Sequence, residues 1–327
     1  MRFSLTDDQA ALAEAVRGLL DKECPPKVVR AAWDNVDLDR SLWRSLASMG
    51  VLSVLVAKEA EDAEDAEDAG GLGLDAVAMV AVLMECGRAA VPLPVVESAM
   101  VAAPLLGAGT GDALVTTDLG GPLVPFADVA DRIILDDTDG LRVANWRDVE
   151  IHTATAVDRS RRLARITVAP DVGEVVGGRA ERDAAFDRGA LGTAAELIGL
   201  GQAMLDVTVD YAKQRQQFGV PIGSFQAVKH HLADALRELA FARPAVLRAA
   251  WSVAERQPTA SRDVSMAKAM ASDAAGLVAR TALQCHGAIG YTVEYDLHLW
   301  MKRTWALARA WGDAGWHRHR VATAIGV

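Results

Sequence analysis

Tyr211-Ala212-Lys213-Gln214-Arg215-Gln216-Gln217-Phe218-Gly219-Val220-Pro221-Ile222-Gly223-Ser224-Phe225-Gln226 reads as a helix end, a turn built on Gly and Pro, and a new helix capped by Ser224. An Arg at such a joint has two uses. It can hold a phosphate by a charge-assisted fork, or it can satisfy the carbonyls of the last helical turn. Outward from the joint the apolar spacing is helical. Leu191 to Lys213 precedes it and Phe225 to Arg256 follows, with Pro244 a local fault. Ser261 to Cys285 and Leu297 to Trp311 read as two further helices. Long helices with short joints predict a four-helix bundle at the C-terminal end.

Gln284-Cys285-His286-Gly287-Ala288-Ile289-Gly290-Tyr291 ends the third of these helices in two glycines. Glycines let backbone amides approach an anion, and they also serve as an ordinary helix cap. Upstream of the bundle, Ala113–Thr117, Arg132–Leu135, Val149–Thr155 and Ala164–Val168 are short β-type runs between Gly, Pro and Asp turns.

The first hundred residues are helical again. Thr6 and Gln9 form a capping box before Ala11, Leu12, Val16, Leu19 and Leu20, and Cys24-Pro25-Pro26 ends that helix. Val28–Trp33, Leu42–Met49 with Gly50 as cap, Asp75–Arg88 and Val95–Leu106 follow. Between them Glu59–Asp68 carries seven acidic residues and no apolar face, the pattern of a solvated loop or of a docking site for a basic partner. The expected organisation is a helical domain over 1–110, a small, truncated β domain over 111–180 and the bundle over 181–327. The fold class is mainly α with a small β domain, in α–β–α order.

The 327 residues are 51% hydrophobic, 24% charged and only 5% aromatic, a mix that favours packed helices over a β-sandwich. The net charge of −10 argues against nucleic-acid binding. It is uneven, −13 over residues 1–180 and +3 over 181–327. Three dispersed cysteines argue against a disulfide framework, and no CxxC or His pairing suggests zinc. No apolar run reaches the ~18 residues of a membrane span, and the acidic N-terminus is unlike a signal peptide. The cytoplasm is the expected compartment.

Taken together, RQQFGxPIGxFQ and, about 60 residues on, QCHGAIGYTxEYDLHLWMKR resemble the C-terminal domain of the acyl-CoA dehydrogenase family. Gly70-Gly71-Leu72-Gly73 and Met84-Glu85-Cys86-Gly87-Arg88-Ala89 resemble its N-terminal helical domain more loosely. The resemblance implies an α–β–α flavoprotein fold and oxidation of the Cα–Cβ bond of an acyl-CoA. A glutamate takes the α-proton, FAD takes the hydride, and an electron-transfer flavoprotein accepts the electrons. It implies that Arg215 contacts the pyrophosphate of an FAD held mainly by the neighbouring chain. Phe218 and Gln226 would line the same site, and Gln284, Gly287 and Ala288 would meet the cofactor across the interface.

Two departures qualify this. The family's catalytic glutamate slots fall on Trp311 and on Gly189, and neither residue can abstract a proton. Asp313 and Asp187 lie two residues away, either as displaced bases or as ordinary helix-end acids. The flavin-cradling loop of the β domain survives at most as Thr116-Thr117-Asp118-Leu119-Gly120-Gly121, and the family's Trp-Ile-Thr/Ser strand is not recognisable. The chain thus resembles the shorter subunit of heteromeric α2β2 acyl-CoA dehydrogenases of actinobacterial steroid degradation, which pairs with a full-length paralogue. A self-sufficient homo-oligomer using Asp313 or Asp187, and a scaffold without flavin, are the competing readings. The basic stretch His317-Arg318-His319-Arg320 reads as a solvated helix face or as help in holding an anionic cofactor or the partner.

Overall fold

The computed structural model describes residues 4–35, 37–57 and 71–327, so the acidic stretch Glu59–Asp68 lies outside the described residues. Helix α1 (Asp7–Glu23) starts at the expected capping box, with the Thr6 hydroxyl accepting from the Gln9 amide and the Gln9 side chain accepting from the Thr6 amide. Helices α2 (Pro26–Asp34) and α3 (Ser41–Ser48) follow, and Gly50 adopts the left-handed conformation (φ 78°) that turns the chain after α3. Asp75 caps α4 (Ala76–Arg88), accepting from the Ala78 amide at 2.9 Å. The helix expected over Val95–Leu106 is a π-helix (Val96–Ala102) running into the short α5 (Ala103–Leu106). The π-helix is buried along its whole length and takes Glu97 and Ser98 inside.

Seven short strands form the β region: β1 (Val115–Thr117), β2 (Val124–Pro125), β3 (Arg132–Asp137), β4 (Gly140–Asn145), β5 (Val149–Thr153), β6 (Leu163–Val168) and β7 (Glu174–Gly177). They pair as two sheets, ordered β1-β3-β4-β7 and β2-β6-β5, with only the β1–β3 ladder parallel. The sequence reading found the strands with a compact apolar run. It missed β4, which carries Arg142 between Leu141 and Val143, and β7, which is half exposed. These depend on the ladders beside them.

The C-terminal part holds α6 (Arg179–Gln214), the two-residue strands β8 (Gln216–Gln217) and β9 (Val220–Pro221), α7 (Gln226–Ala254), α8 (Ala260–His286), α9 (Leu297–Leu307) and α10 (Ala314–Ile325). Helix α6 begins at Arg179 rather than Leu191, because the polar turns before Leu191 carry no apolar stripe yet continue the same ladder. Helix α7 runs unbroken through Pro244. Helix α9 stops at Leu307 rather than Trp311, since the chain turns through Trp311 (φ 58°) and Gly312 (φ 85°). Helices α6, α7 and α8 pack together, α9 lies on α6 and α10 on α8. Among the described residues no helix is long and apolar enough to cross a membrane.

Glycine sets the closest approach between the N-terminal helices and the bundle. A Cβ on Gly199 of α6 would sit 1.9 Å from the Met84 carbonyl oxygen, and one on Gly87 of α4 would sit 2.1 Å from that of Glu196. The two helices therefore cross backbone to backbone.

Beside this crossing lies a buried charge cluster. Arg303 of α9 is 5% exposed and pairs through Nε with Asp158, which precedes β6. Its Nη1 donates to the Val91 carbonyl at 2.8 Å and its Nη2 to the Ser160 hydroxyl at 2.8 Å. One guanidinium thus ties the N-terminal helices, the β region and the bundle. Glu97, Glu196 and Arg161 are buried in the same field. Burial pushes the Glu196 carboxyl up to about 8, partly countered by Arg303.

Arg303→Met should strand Asp158 without its partner and lower unfolding stability by about 3–5 kcal/mol, read from urea midpoints. The Glu196 proton gives a second test. Its folded value lies above the ordinary 4.5, so the folded state holds more protons than the unfolded state between about pH 4.5 and 8. Stability from this group falls as pH rises through that window. Glu196→Gln should remove that share of the slope in a pH series of denaturation curves.

Candidate functional site

Arg215 caps the C-terminus of α6 and is exposed. Its backbone closes the following hairpin, whose Ile222 amide donates to the Arg215 carbonyl at 2.8 Å. The Arg215 guanidinium forms no hydrogen bond or ion pair among the described residues, so it does not satisfy last-turn carbonyls. The hairpin turns on Phe218 (φ 54°) and Gly219 (φ 80°). A bulky residue in the left-handed region is costly, and this one is 93% exposed, with its ring edge-on to Phe225 at 6.2 Å between ring centroids. Ser224 does not cap α7 as expected. Its hydroxyl donates back to the Pro221 carbonyl at 2.7 Å, and Phe225 holds the cap position before the exposed Gln226.

The second motif ends α8. Gly287 takes φ 68°, and Gln284, Gly287 and Ala288 are all exposed. Although about 70 residues apart in sequence, the two motifs share one end of the bundle. The Tyr211 ring, on the last turn of α6, stacks on the His286 imidazole with centroids 4.2 Å apart. Burial lowers the His286 pKa and favours the neutral ring. Its Nδ1–H donates to the Ala282 carbonyl at 2.8 Å, leaving Nε2 to accept from the Tyr295 hydroxyl at 3.2 Å.

The two glutamate slots converge in the interior. The Trp311 indole is 1% exposed and lies against Gly189, where a Cβ would come within 2.4 Å of the ring. On its other side a Cβ at Gly120, in the loop after β1, would come within 2.9 Å. The Trp311 amide donates to the Gly120 carbonyl at 2.8 Å. Beside the indole is a cavity of about 490 Å³, lined mainly by apolar side chains including Leu123, Pro125 and Trp305, with Glu97, Asp158 and Arg161 among its walls.

Both candidate replacement acids have structural partners. Asp187 pairs with Arg320 of α10. Asp313 caps α10, accepting from the Trp316 amide at 2.8 Å, and that bond holds its carboxyl below the usual range. The basic stretch of α10 is therefore only partly a solvated face. Arg318 pairs with Asp273, Arg320 with Asp187, and His317 is buried with Nε2 on the Trp311 carbonyl at 2.8 Å.

Sequence reasoning missed Lys268. It is fully buried on α8, and its Nζ donates to the Ala308 and Gly312 carbonyls at 3.4 and 3.0 Å. Burial brings its pKa down to about 7. The signal was present, since Lys268 stands in the apolar stripe of Val264, Ala267, Ala271 and Ala275.

Residues 6–113 match the acyl-CoA dehydrogenase N-terminal domain, and residues 176–326 match the acyl-CoA dehydrogenase C-terminal domain. The acyl-CoA dehydrogenase IpdE2 of Mycolicibacterium smegmatis is 33% identical over 319 residues, covering 94% of this chain and 96% of that protein. The protein of the same name from Mycobacterium tuberculosis is 34% identical over 316 residues, 91% of each. A chain of the ChsE4-ChsE5 complex from Mycobacterium tuberculosis shares the fold with a TM-score of 0.87 at 26% identity, covering 100% of this chain and 99% of its own. Extent and identity together place this chain in the acyl-CoA dehydrogenase family, whose cofactor is FAD.

Proposed function

We propose that this chain is the companion subunit of a heteromeric, cytoplasmic acyl-CoA dehydrogenase, completing the FAD site of a full-length paralogue in an α2β2 assembly. The single observation that carries the reading is the contact between Trp311 and Gly189: both positions from which a family glutamate would act meet in this chain, and neither holds a carboxylate. The fit to FAD divides in the same way. The bundle end offers Arg215, a cationic side chain without a partner among the described residues, and Phe218, Gln226, Gln284, Gly287 and Ala288 are exposed as well. The interior cavity, by contrast, has a buried indole in its wall where a family glutamate would stand. In this reading residues 181–327 form the interface, while 1–110 and 111–180 keep the family's shape without a complete flavin bed. The likeness to a chain of the ChsE4-ChsE5 complex supports pairing of unlike chains.

FAD, when bound, accepts the hydride from the substrate's β-carbon. Arg215 neutralises diphosphate charge by a charge-assisted fork, and backbone amides after Gly287 can approach the cofactor because that position has no Cβ. The Tyr211–His286–Tyr295 cluster joins the two motifs at one end of the bundle. The α-proton goes to the partner's glutamate. The substrate class is a steroid-type acyl-CoA, a reading that rests on the sequence resemblance, and an electron-transfer flavoprotein is the acceptor.

Absorbance at 450 nm tests the reading: flavin should be retained when the chain is purified with the neighbouring full-length paralogue and absent when it is purified alone. Retention by the isolated chain supports the homo-oligomer, and no retention in either preparation supports the scaffold. Arg215→Ala should remove a contact of about 1.5–3 kcal/mol and strip flavin from the mixed complex on gel filtration, with both chains still folded. Asp313→Asn, which preserves a helix cap, and Asp187→Asn should leave turnover within a few-fold. Loss of a true base costs about 10²–10⁴-fold.

A further inference from the structure

We infer that helix α2 is a clamp on the second cofactor motif: Arg30 and Trp33 reach from the N-terminal helices to the segment around Tyr291–Asp296, so that Gly287 and Ala288 are held ready for FAD before it binds. The inference deepens the companion-subunit reading and rests on it for the place of the cofactor. It adds two positioning residues that lie outside both motifs, far earlier in the chain.

The motif needs such support. Gly287–Tyr291 form a single 3-10 turn after α8. Gly290 presses on the helix ends, where a Cβ would come within 2.9 Å of the His286 Cβ and 3.1 Å of the Leu297 side chain. Beyond it, the amides of Val293, Glu294, Tyr295 and Asp296 donate to no backbone carbonyl among the described residues. A segment so poor in bonds of its own keeps its place through side chains. From the bundle side the tether is the Tyr295 hydroxyl on His286. From the N-terminal side there are two. Arg30 donates to the Val293 carbonyl and pairs with Asp296. Trp33, three residues on and on the same face of α2, shares the Lys302 ammonium with Tyr291, at 4.7 and 5.8 Å from the two ring centroids. The buried His298 ring meets Trp33 edge-on at 5.1 Å between centroids. Without α2, Gly287 and Ala288 would stand on a loosely held loop, and FAD would have to order it on binding.

The test compares Arg30→Ala with Arg40→Ala. The two arginines are matched, since each stands among the N-terminal helices, pairs with an aspartate and donates to a main-chain carbonyl. The side chains are nearly equally exposed, 39% and 40% for Arg30 and Asp296, 35% and 38% for Arg40 and Asp131. Arg40, however, holds the β region and not the motif. FAD is titrated into the deflavinated mixed complex and followed by flavin fluorescence, and amide hydrogen exchange is read over residues 287–296. Arg30→Ala should raise the FAD dissociation constant about 3–10-fold, the scale of ordering one or two side chains on binding, and should speed exchange over that segment. Arg40→Ala should do neither. Unchanged affinity in Arg30→Ala, unchanged exchange, or equal losses in the two variants overturns the clamp. Failure of the companion reading looks different: the wild-type mixture then holds no flavin, or the isolated chain holds it without a partner. In either case exchange over 287–296 in the isolated chain decides the clamp. Faster exchange in Arg30→Ala but not in Arg40→Ala supports it, and no difference between the two overturns it.

Discussion

The Arg303–Asp158 pair stands where the three parts of the chain meet, and the rest of the interior is arranged around it. Moving two charges out of water costs several kcal/mol each, and their attraction offsets this only when the remaining donors are also satisfied. Arg303 meets that condition with the Val91 carbonyl and the Ser160 hydroxyl. A hydrophobic pair of equal volume would hold the parts together at least as well, but it would not fix their register. The charged solution does so because a guanidinium accepts partners only in its own plane. The same cluster sets the cleft. Asp158, Arg161 and Glu97 lie among its walls.

From that centre the molecule faces two ways. Toward the interior, glycine is used to bring things close: Gly87 and Gly199 let α4 and α6 touch through their backbones, and Gly189 and Gly120 let an indole lie between α6 and the β region. Toward the end of the bundle, the arrangement is open. Arg215, Phe218 and Gln284 stand exposed on a rigid base made by the Tyr211–His286 stack. A strained and exposed Phe218 is a poor choice for a free surface and a reasonable one for a surface that is covered in an assembly.

The helices of the bundle and the capping box at Thr6 were legible because each rests on contacts a few residues apart, which periodicity and cap chemistry report directly. The extent of α6 was not. Its first turns lack an apolar stripe, and its centre is buried all round, so there is no period to detect. The same holds for β4 and β7, which exist only because a ladder lies beside them. His317 looks like a surface charge in sequence, and Lys268 is betrayed only by its place in an apolar stripe. Both are buried, since the turn at Ala308–Gly312 needs donors that only a neighbouring helix can supply.

By itself the sequence determined the family, the helical bundle and the outward motifs, because RQQFG and QCHGAIG are local patterns whose chemistry is written in adjacent residues. It also identified Trp311 and Gly189 as two positions without a base. Only the tertiary structure decided that these are one place. The positions are about 120 residues apart, and no local rule links the interior of α6 to a turn after α9. Their meeting depends on the bundle packing, on a left-handed Trp311 held by Gly120, His317 and Lys268, and on the absence of a side chain at Gly189. Those are long-range steric facts, which a sequence carries only through the fold it produces.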